Sequence, residues 1–167
     1  MGLLKKEERR DKMERINIGH PRFENYEWGA HITTVKNMVI AKGHELIDDG
    51  DKSGIVEYED KILDKEVNIK LCFTFESRKL YLISLLWYDS PIRKALFKIL
   101  TSKYGEPQSM GKMGWYKWKR DRYLLDIINA SFEDKGVVRM HYQSDDYCFI
   151  HIKEATRAEY GEDVDRF

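Results

Sequence analysis

The chain has no run of about 18 apolar residues, so it lacks the length of apolar sequence a membrane-crossing helix needs. It has only two cysteines, Cys72 and Cys148, at a spacing that fits no zinc or redox motif, and two ordinary thiols are expected. It has no excess of either charge. The 29 Lys and Arg balance 29 Asp and Glu, which removes any global pull toward nucleic acid or membrane. Any electrostatic role must come from local asymmetry. There is no G-x-S-x-G elbow, phosphate-cradling glycine loop or H-E-x-x-H, so no catalytic class is indicated and a non-enzyme is expected. The five histidines (His20, His31, His44, His141, His151) do not converge in the sequence. A final hairpin turning at Asp145-Asp146 would set His141 and His151 on different sheet faces. The opening MGLLKKEERRDKMERIN has no apolar core of signal-peptide length. The expected compartment is therefore cytoplasmic, with export after removal of a signal as the alternative.

What is present suits one globular α+β domain. Aromatics make up 13% of 167 residues, enough large side chains for a core. Residues 1–19 read as a charged arm or short helix, and 20–167 as the domain. A helix is expected over Thr33–Lys42, where Val35, Met38 and Val39 make a stripe and Gly43 ends it. A second is expected after Ser90-Pro91, with Ile92, Ala95, Leu96, Ile99 and Leu100 inward and Gly105 past its end. Strands are expected at Ile55–Glu59, Val67–Phe75, Leu80–Tyr88, Trp115–Lys119, Tyr123–Phe132, Val137–Gln143 and Tyr147–Ile152. Leu80–Tyr88 is apolar on both faces, which predicts a central position in the sheet. The order suggests an antiparallel sheet with amphipathic helices packed on one face. It also suggests a tandem α-β-β-β repeat, about 23–89 and 90–152.

"FENYEWG" before a helix, "VEYEDKILDKEVNIKLCFTF", "KLYLISLLWY", a helix closing in "YGEP" and a strand opening with Trp carry a resemblance. It spans about Phe23 to Tyr142, with Trp28-Gly29 and Tyr104-Gly105 as its marks. The chain resembles small bacterial proteins with the helix-plus-sheet repeat of the β-lactamase inhibitor protein and of small outer-membrane assembly lipoproteins. The resemblance implies a non-catalytic binding or assembly role. This chain has no lipobox cysteine.

Two stretches bear on binding. In DGDKSGIVEYED, Asp49, Asp51, Ser53, Glu57 and Asp60 stand at calcium-loop positions 1, 3, 5, 9 and 12, with Gly54 at 6. The usual Glu at 12 is replaced by the shorter Asp60, and the exit reads as strand. An acidic turn is therefore the favoured reading, with a calcium-dependent module as the alternative. The second stretch is KMGWYKWKRDRY, where basic residues interleave with four aromatics and only Asp121 opposes them. Between Arg93 and Arg122 there are nine basic and two acidic residues, and between Glu45 and Glu66 nine acidic and three basic. As a strand, Tyr116, Trp118 and Arg120 share one face, with Trp115, Lys117 and Lys119 on the other. Trp115, Tyr116, Lys117, Trp118, Lys119, Arg120 and Arg122 are the expected partner-binding residues. A protein partner or self-association suits such a cluster, since Trp, Tyr and Arg concentrate at interface hot spots. Nucleic acid is the alternative partner, because aromatic rings and cations also take bases and phosphates. No cofactor beyond calcium is suggested.

Overall fold

The computed structural model describes residues 21–89, 91–109, 115–129 and 137–166. The expected N-terminal arm, at 1–19, lies outside them. Helix α1 spans Ile32–Ala41. Strands β1 (Asp48–Asp49), β2 (Ile55–Ile62), β3 (Lys65–Phe73) and β4 (Leu80–Trp87) follow. Helix α2 (Ile92–Tyr104) leads to β5 (Gln108–Ser109), β6 (Tyr116–Arg120), β7 (Tyr123–Asn129) and β8 (Val138–Ser144). Helix α3 (Asp145–Tyr160) and a 3-10 turn, Gly161–Arg166, close the chain.

The eight strands of the described residues form one antiparallel sheet in the order β1-β2-β3-β4-β8-β7-β6-β5. Each half is a helix, a two-residue strand and a three-strand meander. The halves meet where β4 pairs with β8, so the doubly apolar β4 is central, as its sequence requires. This is the α+β class read from the sequence.

Alternation sets the core. Val56 and Tyr58, then Val67, Ile69 and Leu71, then Ile83, Leu85 and Trp87, then Val138, Met140 and Tyr142 are buried on one face. Ile32, Val35 and Val39 of α1 and Ile92, Leu96, Leu100 and Tyr104 of α2 join them in a single apolar cluster. Thus α1 and α2 cover this inner face. The hydroxyls of Tyr26 and Tyr58 hydrogen-bond to each other at 2.8 Å inside the core. Burial, then the Tyr26 bond, raises the Tyr58 hydroxyl above its ordinary range. Removing one partner of a buried pair strands the other without its bond. Tyr58→Phe is expected to cost about 1–3 kcal/mol in urea unfolding, and adding Tyr26→Phe to recover part of that loss. An additive double variant would rule the coupling out.

The N-cap of α1 is His31, whose Nδ1 accepts from the Thr33 N–H at 3.2 Å, so the helix begins one residue before the expected Thr33. At α2, Pro91 occupies the cap position and makes no side-chain cap bond; Ser90 is outside the described residues. Phe75, the expected last residue of the strand Val67–Phe75, lies beyond β3 and is exposed in the β3–β4 turn.

The larger correction is at the end of the chain. The expected last strand, Tyr147–Ile152, and its hairpin do not exist; the segment is helical. Asp145 and Asp146 sit in the first turn, where they complement the positive end of the helix dipole, and Gly161 caps the other end. Tertiary partners then recur at helical spacing. The Cys148 thiol lies 3.8 Å from the Tyr81 carbonyl, and the His151 ring stacks on Tyr81 at 4.3 Å. The Glu154 carboxylate accepts the backbone N–H groups of Glu76 (2.8 Å) and Ser77 (2.9 Å) and the Ser77 hydroxyl. Burial opposes ionisation of Glu154, but these bonds outweigh it and hold the carboxyl below its ordinary range.

Candidate functional site

With α1 and α2 on the inner face, the opposite face of the sheet holds the residues those helices leave uncovered. Register places Glu57, Lys70, Ser84, His141, Asp126, Lys117 and Gln108 directly opposite one another across seven strands. Rows on either side carry Leu82, Leu86, Leu124, Arg139 and Gln143, all partly exposed. The face therefore mixes leucines with cations toward its β6–β8 half. On its β2–β3 half, Glu57 accepts from the Asn68 amide at 3.0 Å.

Strand β6 divides the expected aromatic-basic cluster in two. Trp118 is buried, and its indole N–H donates to the Gly105 carbonyl at 2.8 Å. Arg120 donates to the Tyr104 carbonyl at 2.9 Å. Both tie the Tyr104-Gly105 end of α2 to the sheet, and Tyr116 packs against Phe97 of α2 at 4.7 Å. These three are structural neighbours of α2. Of the remainder, Lys119 pairs with Asp145 at 3.5 Å and Arg122 with Asp146 at 2.6 Å, both at the start of α3. Among the described residues, Trp115 and Lys117, both partly exposed, face outward without an ion pair to α3.

At the centre of the outer row lies a feature the sequence reading missed. Asp126 is 7% exposed, and its Oδ1 has no hydrogen-bond partner among the described residues. The His141 Nδ1 is 3.6 Å away, too far for an ordinary hydrogen bond. Burial pushes the Asp126 carboxyl up to about 6, against the pull of the Trp115 indole, the His141 backbone N–H and Lys117. Burial, then Arg139, brings the His141 imidazole down to about 4. Near neutral pH the pair is a carboxylate beside a neutral ring. A single acid inside the apolar run YLLDIIN was the available signal.

The calcium-loop residues are not gathered. Asp48 and Asp49 accept from the backbone N–H groups of Gly50 and Asp51, at 2.8 and 2.9 Å, as ordinary turn side chains. Asp51 pairs with Lys36 at 2.9 Å, and that bond lowers its carboxyl. Ser53 bonds Ile55, Glu57 points to the outer face with Asn68, and Asp60 accepts from its neighbour's N–H. The Arg78 guanidinium donates to the Gly50 carbonyl at 3.3 Å, which puts a cation against the loop. Among the described residues no group of three or more His, Cys, Asp or Glu converges as metal ligands. The exit is strand β2, as its residues indicate.

Both cysteines are free thiols. Burial pushes Cys72 up to about 11 and Cys148 up to about 12, so neither is activated as a nucleophile. No helix among the described residues is long and apolar enough to cross a membrane.

Comparison of the chain with family models, with curated proteins and with solved structures returned no match. Function is therefore argued from the geometry.

Proposed function

We propose that this chain is a non-catalytic binding protein that recognises a protein partner with the outer face of its sheet. The observation carrying this reading is the composition of that face. Leu82 and Leu86 on β4 and Leu124 on β7 are partly exposed alongside Arg139 on β8 and Trp115 and Lys117 at β6, on the side that α1 and α2 leave uncovered. Leucines supply apolar contact area, Trp and Arg are the residue types that anchor interfaces, and cations select a partner with an acidic rim. Lys119, Arg120 and Arg122 are occupied by α3 and by the end of α2, so reversing them would disturb the fold as well as the surface.

The test places a photocrosslinking amino acid at Ser84, in the centre of the face, and at Lys94 on α2 as the comparison. A protein adduct is expected from position 84, lost when Lys117→Glu and Arg139→Glu are combined. An adduct at twice the chain mass would identify the partner as a second copy using the same face. Adducts from position 94 alone, or adducts indifferent to the charge reversal, would overturn the reading.

A further inference from the structure

Between the first turns of α2 and strand β6 lies a cavity of about 430 Å³, lined by Pro91, Arg93, Lys94, Phe97 and Tyr116. It opens on the inner side of β6, across the strand from Lys117, and plays no part in the face described above. Its volume is within the range of about 300–1,000 Å³ typical of small-ligand sites. The chemistry of its walls is one-sided. Among the described residues two cations line it and no carboxylate does. The first turn of α2 carries no acid, and the helix adds Lys98 and Lys103 to the same field. The nearest acid in the chain before it, Asp89, is bound to Lys65 at 2.9 Å.

Two tilted rings and a guanidinium share one wall. Phe97 and Tyr116 meet at 4.7 Å with their planes 55° apart, and the Arg93 guanidinium lies 5.3 Å from the Tyr116 ring centre. Aromatic faces and a guanidinium plane stack on unsaturated rings, while ammonium and guanidinium groups pair with phosphate or carboxylate. We infer that this cavity is a small-molecule site for a planar-ring anion, a flat unsaturated ring bearing a phosphate or a carboxylate. Phe97 and Tyr116 would hold the ring, and Lys94, the exposed cation at the mouth, would hold the anion.

Titration calorimetry of the full chain tests this with four probes: adenosine 5′-monophosphate, 4-hydroxybenzoate, adenosine and inorganic phosphate. At least one ring-anion probe should bind saturably, with adenosine and phosphate each at least tenfold weaker; which ring-anion binds separates phosphate-bearing from carboxylate-bearing ligands. Lys94→Glu, at an exposed position, should weaken that binding at least tenfold. Lys117→Glu, on the opposite side of β6, should leave it unchanged. Phosphate as tight as the ring-anions, or Lys94→Glu without effect, would reduce the cavity to unspecific charge and overturn the inference. Tighter binding of a single-stranded oligonucleotide, with affinity falling steeply with salt, would also overturn it in favour of a strand-binding surface. Because Lys117→Glu and Lys94→Glu act on opposite sides of one strand, failure here and failure of the partner-binding reading are separable.

Discussion

Asp126→Asn raises the stability of the fold above pH 6, and His141→Gln raises it below pH 5. The Asp126 carboxyl moves on folding from an ordinary 3.8 up to about 6, chiefly by burial. That corresponds to about 3 kcal/mol against the charged form, as an upper value. A raised carboxyl contributes most below its unfolded value, and the contribution is lost as pH climbs from about 3.8 to about 6. His141 runs the other way. Burial takes its imidazole from 6.5 down to about 4, so its contribution is complete above 6.5 and is lost as pH falls toward 4.

The two slopes overlap and oppose each other. Near pH 5 folding transfers a proton from imidazole to carboxyl with little net uptake, so the pair adds little pH dependence to the native chain. Each variant uncovers the partner's slope. Asp126→Asn gains up to about 3 kcal/mol on the native chain as pH rises through 4 to 6. His141→Gln gains up to a similar amount, about 3 kcal/mol, as pH falls through 6.5 to 4. Urea unfolding from pH 4 to 8 reads both. A pH-independent loss of stability in Asp126→Asn would mean that the carboxylate is satisfied in solution and the burial argument is wrong. Retention of so unfavourable a group in the centre of the outer row is what a binding face would explain, since stability is commonly sacrificed at functional positions.

Trp87→Ala is expected to cost about 3–5 kcal/mol, a large share of the stability of a domain this size. Trp87 is fully buried and pairs with Val67 on β3 and Val138 on β8. It therefore sits on the seam where the two halves join. Because the seam is a continuous ladder with a shared core, both halves should melt together in one transition. Intrinsic fluorescence and far-ultraviolet dichroism should give the same lowered midpoint. Separate midpoints, with one half surviving, would show that the repeats are independent folding units and that the seam is weak.

Much of the architecture was legible because it is local. Period-two alternation in VNIKLCF and LYLISLLW is a property of each strand, and the Val35–Val39 and Leu96–Leu100 stripes are properties of each helix. The split of Tyr116, Trp118 and Arg120 from Trp115 and Lys117 follows from the same alternation. The final helix was not legible, because YCFIHI is short, apolar and rich in strand-forming residues, and a run of that length suits either state. Contacts to Tyr81 and Ser77, about seventy residues earlier in the chain, accompany the helical state. The calcium spacing was legible, but the structure does not bring its residues together. Ligand spacing presumes a loop that folds back on itself, whereas β2 carries Glu57 and Asp60 away along a strand.

The sequence by itself determined the class, the strand faces, the two helices over the core and the absence of recognised catalytic signatures. Only the tertiary structure decided which face those helices leave uncovered, which cations are already spent on Asp145 and Asp146, and that Asp126 meets His141. The physical reason is distance along the chain. Alternation and capping are set by neighbours within a few residues, whereas burial of a carboxyl and pairing of a cation depend on groups that only the sheet order brings together.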